Sequence, residues 1–147
     1  MSIILKSIIS AFIFWFSFSC YAGENQDNGS MPIGVSIINL IANPERYHNK
    51  KIRFIGFASV EFENFSIYLS KESYDNRMSL NAIWLDLESK NSTVDSIMKK
   101  IHGLIKLDKH YVIVEGVFDK NDKGHMSMNS GSINGITRLD KWDSRSK

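Results

Sequence analysis

The chain has 147 residues, 43% of them hydrophobic, with 18 Lys and Arg against 16 Asp and Glu and a net charge of +2 at pH 7. That length suits one domain with a core of its own, and so even a charge balance argues against a general nucleic-acid binder, which needs a strongly basic surface. A single cysteine, Cys20, excludes a disulfide framework within the chain.

The first 22 residues, MSIILKSIISAFIFWFSFSCYA, have the layout of a secretory signal peptide. Lys6 supplies the charge, an apolar run follows, and small residues come at the end. The run from Ile8 to Phe18 is shorter than the about 20 apolar residues that span a bilayer, so no permanent transmembrane anchor is expected. Cleavage after Ala22 places Cys20 and Ala22 at the two small-residue positions such a protease reads. The alternative is a lipoprotein anchored through Cys20, for which Phe18 in the preceding Ser17-Phe18-Ser19 is a poor fit. We expect a periplasmic or secreted domain beginning at Gly23, without cysteine and with a charge of about +1 once Lys6 is removed. Outside the cytoplasm, functions that need ATP, a nucleotide cofactor or chromosomal DNA drop out.

Residues 23–34 open with GENQDNGS and read as a flexible polar leader. The domain is expected over 35–142, and 143–147, DSRSK, as a disordered tail. Val35–Ala42 carries apolar residues at 37, 38, 40 and 41, the spacing of a short one-faced helix. Asn43-Pro44 then cap and open a second helical turn to Tyr47. Lys51–Phe62 alternates as a first strand, with Ile52, Phe54 and Val60 on one face, Arg53 and Ile55 on the other, and Gly56 marking a bend. Phe65–Ser70 and Leu80–Leu87 are second and third strands.

Ser92 and Asp95 form an acidic capping box for a helix with Val94, Ile97, Met98 and Ile101 on one face and Gly103 as its stop. Tyr111–Phe118, interrupted by Gly116, is a fourth strand, and Ile133–Trp142 a fifth, with the turn Asp119–Gly124 after the fourth. Three strands, a helix and two strands, preceded by short helices, match the small five-stranded Greek-key barrel known as the OB-fold. Glycines midway along the first and fourth strands suit the bending a small barrel needs. An irregular α+β sheet is the alternative architecture.

The runs NPERYHNKKIRFIGF, NAIWLDL, YVIVEGVFDKNDKGHMSM and GSINGITRL are similar to small exported bacterial proteins of OB-like type, several of them of the lipoprotein kind. The resemblance covers Val35 to Trp142. Its distinctive elements are Asn43-Pro44…Tyr47, Val114-Glu115-Gly116 and Gly124-His125-Met126. It implies the fold and an envelope location, and no reaction. The departure before Cys20 bears on the anchor.

No motif announces chemistry. The four histidines, His48, His102, His110 and His125, have no tight metal-ligand spacing, so neither metal nor cofactor is expected. His125 follows a turn glycine in the loop between the last two strands, which in OB-folds often borders the binding face. Glu61 and Glu63 flank Phe62 and share one face of a strand, the minimum for acid–base work or cation binding and also an ordinary solvated face. Ser127, Ser130 and Ser132 lie near His125, Asp119 and Asp122, but no nucleophile elbow is present. Of the aromatics on the first three strands, Tyr68 and Trp84 are those expected to show an edge outside, where they could stack on a sugar ring.

The expected function is a non-enzymatic binding module that recognises an envelope or secreted protein partner, of inhibitor or immunity type. The alternative is a glycan or small-ligand binder using the aromatic face. Tyr68, Trp84, His125, Glu61 and Glu63 are the candidate binding residues.

Overall fold

A computed structural model describes residues 31–61, 64–87 and 94–143. The expected signal segment with Cys20, most of the leader, Glu63 and the last four residues lie outside the described residues. The elements are β1 (Ile33–Gly34), α1 (Ile37–Ala42), α2 (Pro44–Tyr47), β2 (Lys51–Glu61), β3 (Asn64–Tyr68), α3 (Lys71–Asp75), β4 (Ala82–Leu85), α4 (Val94–Ile105), β5 (Tyr111–Asp119) and β6 (Ser132–Lys141). Among the described residues no helix is long and apolar enough to cross a membrane.

Local chemistry accounts for the short helices. Ser36 caps α1, its hydroxyl accepting from the Asn39 N–H at 3.2 Å, and Ile37 and Leu40 go into the core. Pro44 opens α2 at the position where its missing N–H costs nothing. The expected stop at Gly103 is not where α4 ends. The helix continues to Ile105, because Leu104, one residue on, is buried and the next turn is needed to place it.

The strands form one mixed sheet in the order β1-β2-β3-β4-β6-β5, and β2 also pairs with β5, so five of the strands close into a ring. β1–β2 and β4–β6 are parallel and the other pairs antiparallel. The long β2 serves two partners. Lys51–Phe57 pairs with β5, and Phe57–Glu61 with β3. Gly56 stands at this exchange, where a Cβ would sit 2.5 Å from Ile67 Cγ2 and 2.6 Å from the Tyr68 carbonyl oxygen. Gly116 marks a register shift between β5 and β6. Ile33 and Gly34, at the end of the expected leader, pair with Ile52 and Arg53.

Alternation fills the interior. Ile52, Phe54 and Ala58 from β2, Ile67 from β3, Ile83 and Leu85 from β4, Val112, Val114 and Phe118 from β5 and Ile133 from β6 join Ile37 and Leu40 in one core. Apart from Ala58, each such side chain is worth about 1.5–3 kcal/mol in burial. Glu115, between these positions, faces outward, where Arg53 Nε donates to its carboxylate at 2.7 Å and Arg138 stands at 3.5 Å.

Candidate functional site

The outer face of β2, β3 and β4 is organised in rows by the strand register. Phe57, Tyr68 and Ala82 make one row, Ser59, Ser66 and Trp84 the next, and Glu61 with Asn64 a third. The chain covers the first two rows itself.

Over the first row lies α3, whose Ser70 cap accepts from the Ser73 N–H. Its Tyr74 ring packs 5.6 Å from Phe57 and 5.5 Å edge-on from Tyr68. Tyr68 is therefore 5% exposed, and it does not show the edge that its sequence position suggests. Tyr74 reaches on to the third row, donating its hydroxyl to Glu61 Oε1 at 2.6 Å. That hydrogen bond to a carboxylate, with some burial and the negative charge of Glu61, pushes the Tyr74 pKa up to about 12. Glu61 is exposed and holds this strap; its expected companion Glu63 lies outside the described residues.

Over the second row lies the loop between β5 and β6, residues 120–131. Asn129 is 4% exposed and donates from Nδ2 to Ser66 Oγ at 2.8 Å, while Ser66 donates to Asn64 Oδ1 at 2.8 Å. Gly124 lies on the indole of Trp84, where a Cβ would be 2.5 Å from Cγ and Cδ2. Its backbone, at φ 67° and ψ −160°, occupies a region that is essentially glycine's alone. Trp84 is left half-buried, with Phe65 at 6.3 Å. The hydroxyls of Ser59 and Ser132, both fully buried, find no hydrogen-bond partner among the described residues.

The loop is braced at both ends. Asp119 Oδ1 accepts from the Asn121 N–H at 2.8 Å and stands 3.4 Å from His48 Nδ1. Asp122 Oδ1 accepts from the Gly124 N–H at 2.9 Å. The Ser130 N–H reaches the Ala82 carbonyl at 3.1 Å, and its hydroxyl donates to the Leu80 carbonyl at 2.6 Å. Of the residues that could be gathered on paper around His125, Ser130, Asp119 and Asp122 each have a bracing contact, and Ser132 is fully buried.

Between the braces stands a strained tip, a 3-10 turn over His125–Ser127. Met126 (φ 52°) and Ser127 (φ 56°) are both left-handed, a conformation that non-glycine residues hold only where the surroundings impose it. His125 is exposed at its start. Met126 is 79% and Met128 50% exposed. Met78 and Leu80, on the turn bonded to Ser130, are exposed as well, as is Ile38 on α1.

Beside the loop opens a cleft of about 450 Å³. It is lined by the apolar Ile41, Pro44 and Leu80 and by the polar Glu45, Lys120, Asn121, Lys123, Asn129 and Ser130. Among the described residues no group of three His, Cys, Asp or Glu is placed to hold a metal ion.

Two of these features have no signature in the sequence. α3 is five residues with one large side chain, and its role comes from Tyr74 meeting two aromatics on other strands. The loop's seat on the sheet rests on Asn129 meeting Ser66, 63 residues away. Comparison with known protein families and with characterised proteins finds no match to the chain.

Proposed function

We propose that this chain is an exported, non-enzymatic recognition module of OB-like barrel type that binds a protein in the cell envelope, in an inhibitor or immunity-type role. The barrel reading is supported by the strand order, in which β2-β3-β4-β6-β5 returns to β2, with β4 and β6 parallel and α4 between the third and fourth strands of the ring. Export is supported by the layout of Met1–Ala22.

The observation that carries the recognition reading is the braced loop. A loop fixed on a rigid sheet loses little freedom on binding, which is how preorganisation raises affinity. This one spends that rigidity on holding Met126 in a strained conformation and in solvent. Exposed methionine is adaptable apolar surface, suited to a protein partner. The glycan alternative loses support, since Tyr68 is buried and Gly124 occupies a face of Trp84.

The test is parallel capture from envelope extract with the wild-type protein and with a Met126→Asp/Met128→Asp variant of unchanged melting temperature. The reading expects a stoichiometric partner on the wild type that the variant loses. Equal recovery on both baits, or no stoichiometric partner on either, would overturn it. Intact mass of the exported protein tests the processing: a chain beginning at Gly23 is expected, and a lipid-modified Cys20 would contradict that.

A further inference from the structure

We propose that the cleft between α2 and the braced loop is the socket for an acidic side chain, flanked by apolar residues, in a segment of the bound protein; the proposal rests on the recognition reading above and names the chemistry of the partner. The charge of the cleft is one-sided. Lys120 and Lys123 line it, and Glu45 is the single carboxylate among its lining residues. Glu45 Oε1 stands 3.8 Å from Lys120 Nζ and is 72% exposed, a loose pair that solvent screens. The carboxylates next in the chain are turned away to other work, Asp119 to the Asn121 N–H and His48, Asp122 to the Gly124 N–H.

A free inorganic anion would use half of this site. Its lining also includes Ile41, Pro44 and Leu80, which are served by apolar groups on either side of the carboxylate. The volume, about 450 Å³, lies toward the small end of ligand pockets and suits a few side chains rather than a folded element. Leu80 joins the two surfaces. It lines the cleft, is 66% exposed, and its carbonyl accepts from Ser130 in the loop that carries Met126 and Met128. A protein seated on the methionines reaches the cleft without leaving the surface.

The test uses the ¹⁵N-labelled protein and three probes: a capped Leu-Glu-Glu-Leu peptide, its Leu-Gln-Gln-Leu isostere, and acetate. The acidic peptide is expected to shift the amides of Lys120, Lys123 and Leu80 saturably, and to bind on the order of fivefold more tightly than either other probe. Glu45→Gln, which releases Lys120, is expected to tighten that binding, an effect that a purely structural role for these residues does not produce. Lys120→Gln/Lys123→Gln is expected to abolish it. Equal response to the acidic and amide peptides, shifts confined to other residues, or none up to about 10 mM would overturn the proposal. The partner recovered by capture separates the two readings. If it binds the lysine double variant as it binds the wild type and fails on Met126→Asp/Met128→Asp, the socket falls and recognition stands. If it binds both variants as wild type, both fall.

Discussion

Gly124 and Trp84 are in direct contact, backbone against indole, with no room for a Cβ between them. The contact fixes the loop that follows β5 onto the sheet and sets where Met126, two residues on, is presented. Gly124→Ala meets two penalties, the ring itself and a φ/ψ combination that costs a non-glycine residue about 1–3 kcal/mol. We expect a loss of at least about 2 kcal/mol in urea unfolding, with increased hydrogen exchange confined to residues 120–131 if the loop lifts rather than the domain unfolding. Wild-type stability in this variant would show that the contact does not constrain the loop.

The second anchor is polar. Asn129→Ala removes the donor to Ser66 Oγ inside a buried site and is expected to cost about 1–3 kcal/mol. Ser66→Ala is expected to cost a similar amount. Because both break the Asn129–Ser66 bond, while only Ser66→Ala also loses the bond to Asn64, Asn129→Ala/Ser66→Ala is expected to cost clearly less than the two single substitutions summed, with a coupling of about 0.5–3 kcal/mol in a double-mutant cycle. Strict additivity would mean that the bond is not formed in solution.

Tyr74 gives the strap over the first row a signature in alkali. Its folded pKa, about 12, lies above its ordinary 10.0, so between these values the folded protein holds a proton that the unfolded chain has released. The stabilisation is fully present below about pH 10 and is lost as the pH rises toward 12. Tyr74→Phe is expected to remove this part of the alkaline loss while lowering stability at neutral pH by about 1 kcal/mol, the worth of one hydrogen bond. The comparison is wild type against variant in denaturant melts at a series of pH values, with tyrosinate absorbance following the titration. Identical pH profiles would contradict the Tyr74–Glu61 bond.

Much of the ring was legible from alternation. Ile52, Phe54, Ile83, Leu85, Val112 and Val114 repeat at period two, and Gly56 and Gly116 mark where strands exchange partners or shift register. α1 followed from the apolar spacing at 37, 38, 40 and 41, and α2 from Pro44; the Asn43 side chain makes no capping bond, and the Ser36 cap of α1 was not legible from that spacing. The site was not legible, because its contacts join distant residues with ordinary local sequence. KESYD has no helical periodicity, and its fold depends on Ser70 as cap and on Phe57 and Tyr68 as floor. The position of Tyr68 on the outer face could be read from the strand pattern, but its cover could not. His125 was rightly set in the loop, while the strained Met126 beside it carries no sequence mark.

Tyr68 separates a closed aromatic face from an open one. At 5% exposure and packed on Phe57, Ala82 and Tyr74, it should behave as core. Tyr68→Ala is expected to cost about 3–5 kcal/mol, as large aromatic truncations do. A variant that keeps its melting temperature and loses binding to a glycan would instead restore the aromatic-face reading.

The central claim is that the braced loop recognises a protein through its exposed methionines. It is tested most directly by calorimetric titration of the captured partner into the wild-type protein and into Met126→Asp/Met128→Asp. The account predicts at least about a 30-fold weaker Kd for the variant, the roughly 2 kcal/mol of an interface hot spot, with the same melting temperature. An unchanged Kd would place the interface elsewhere and contradict it.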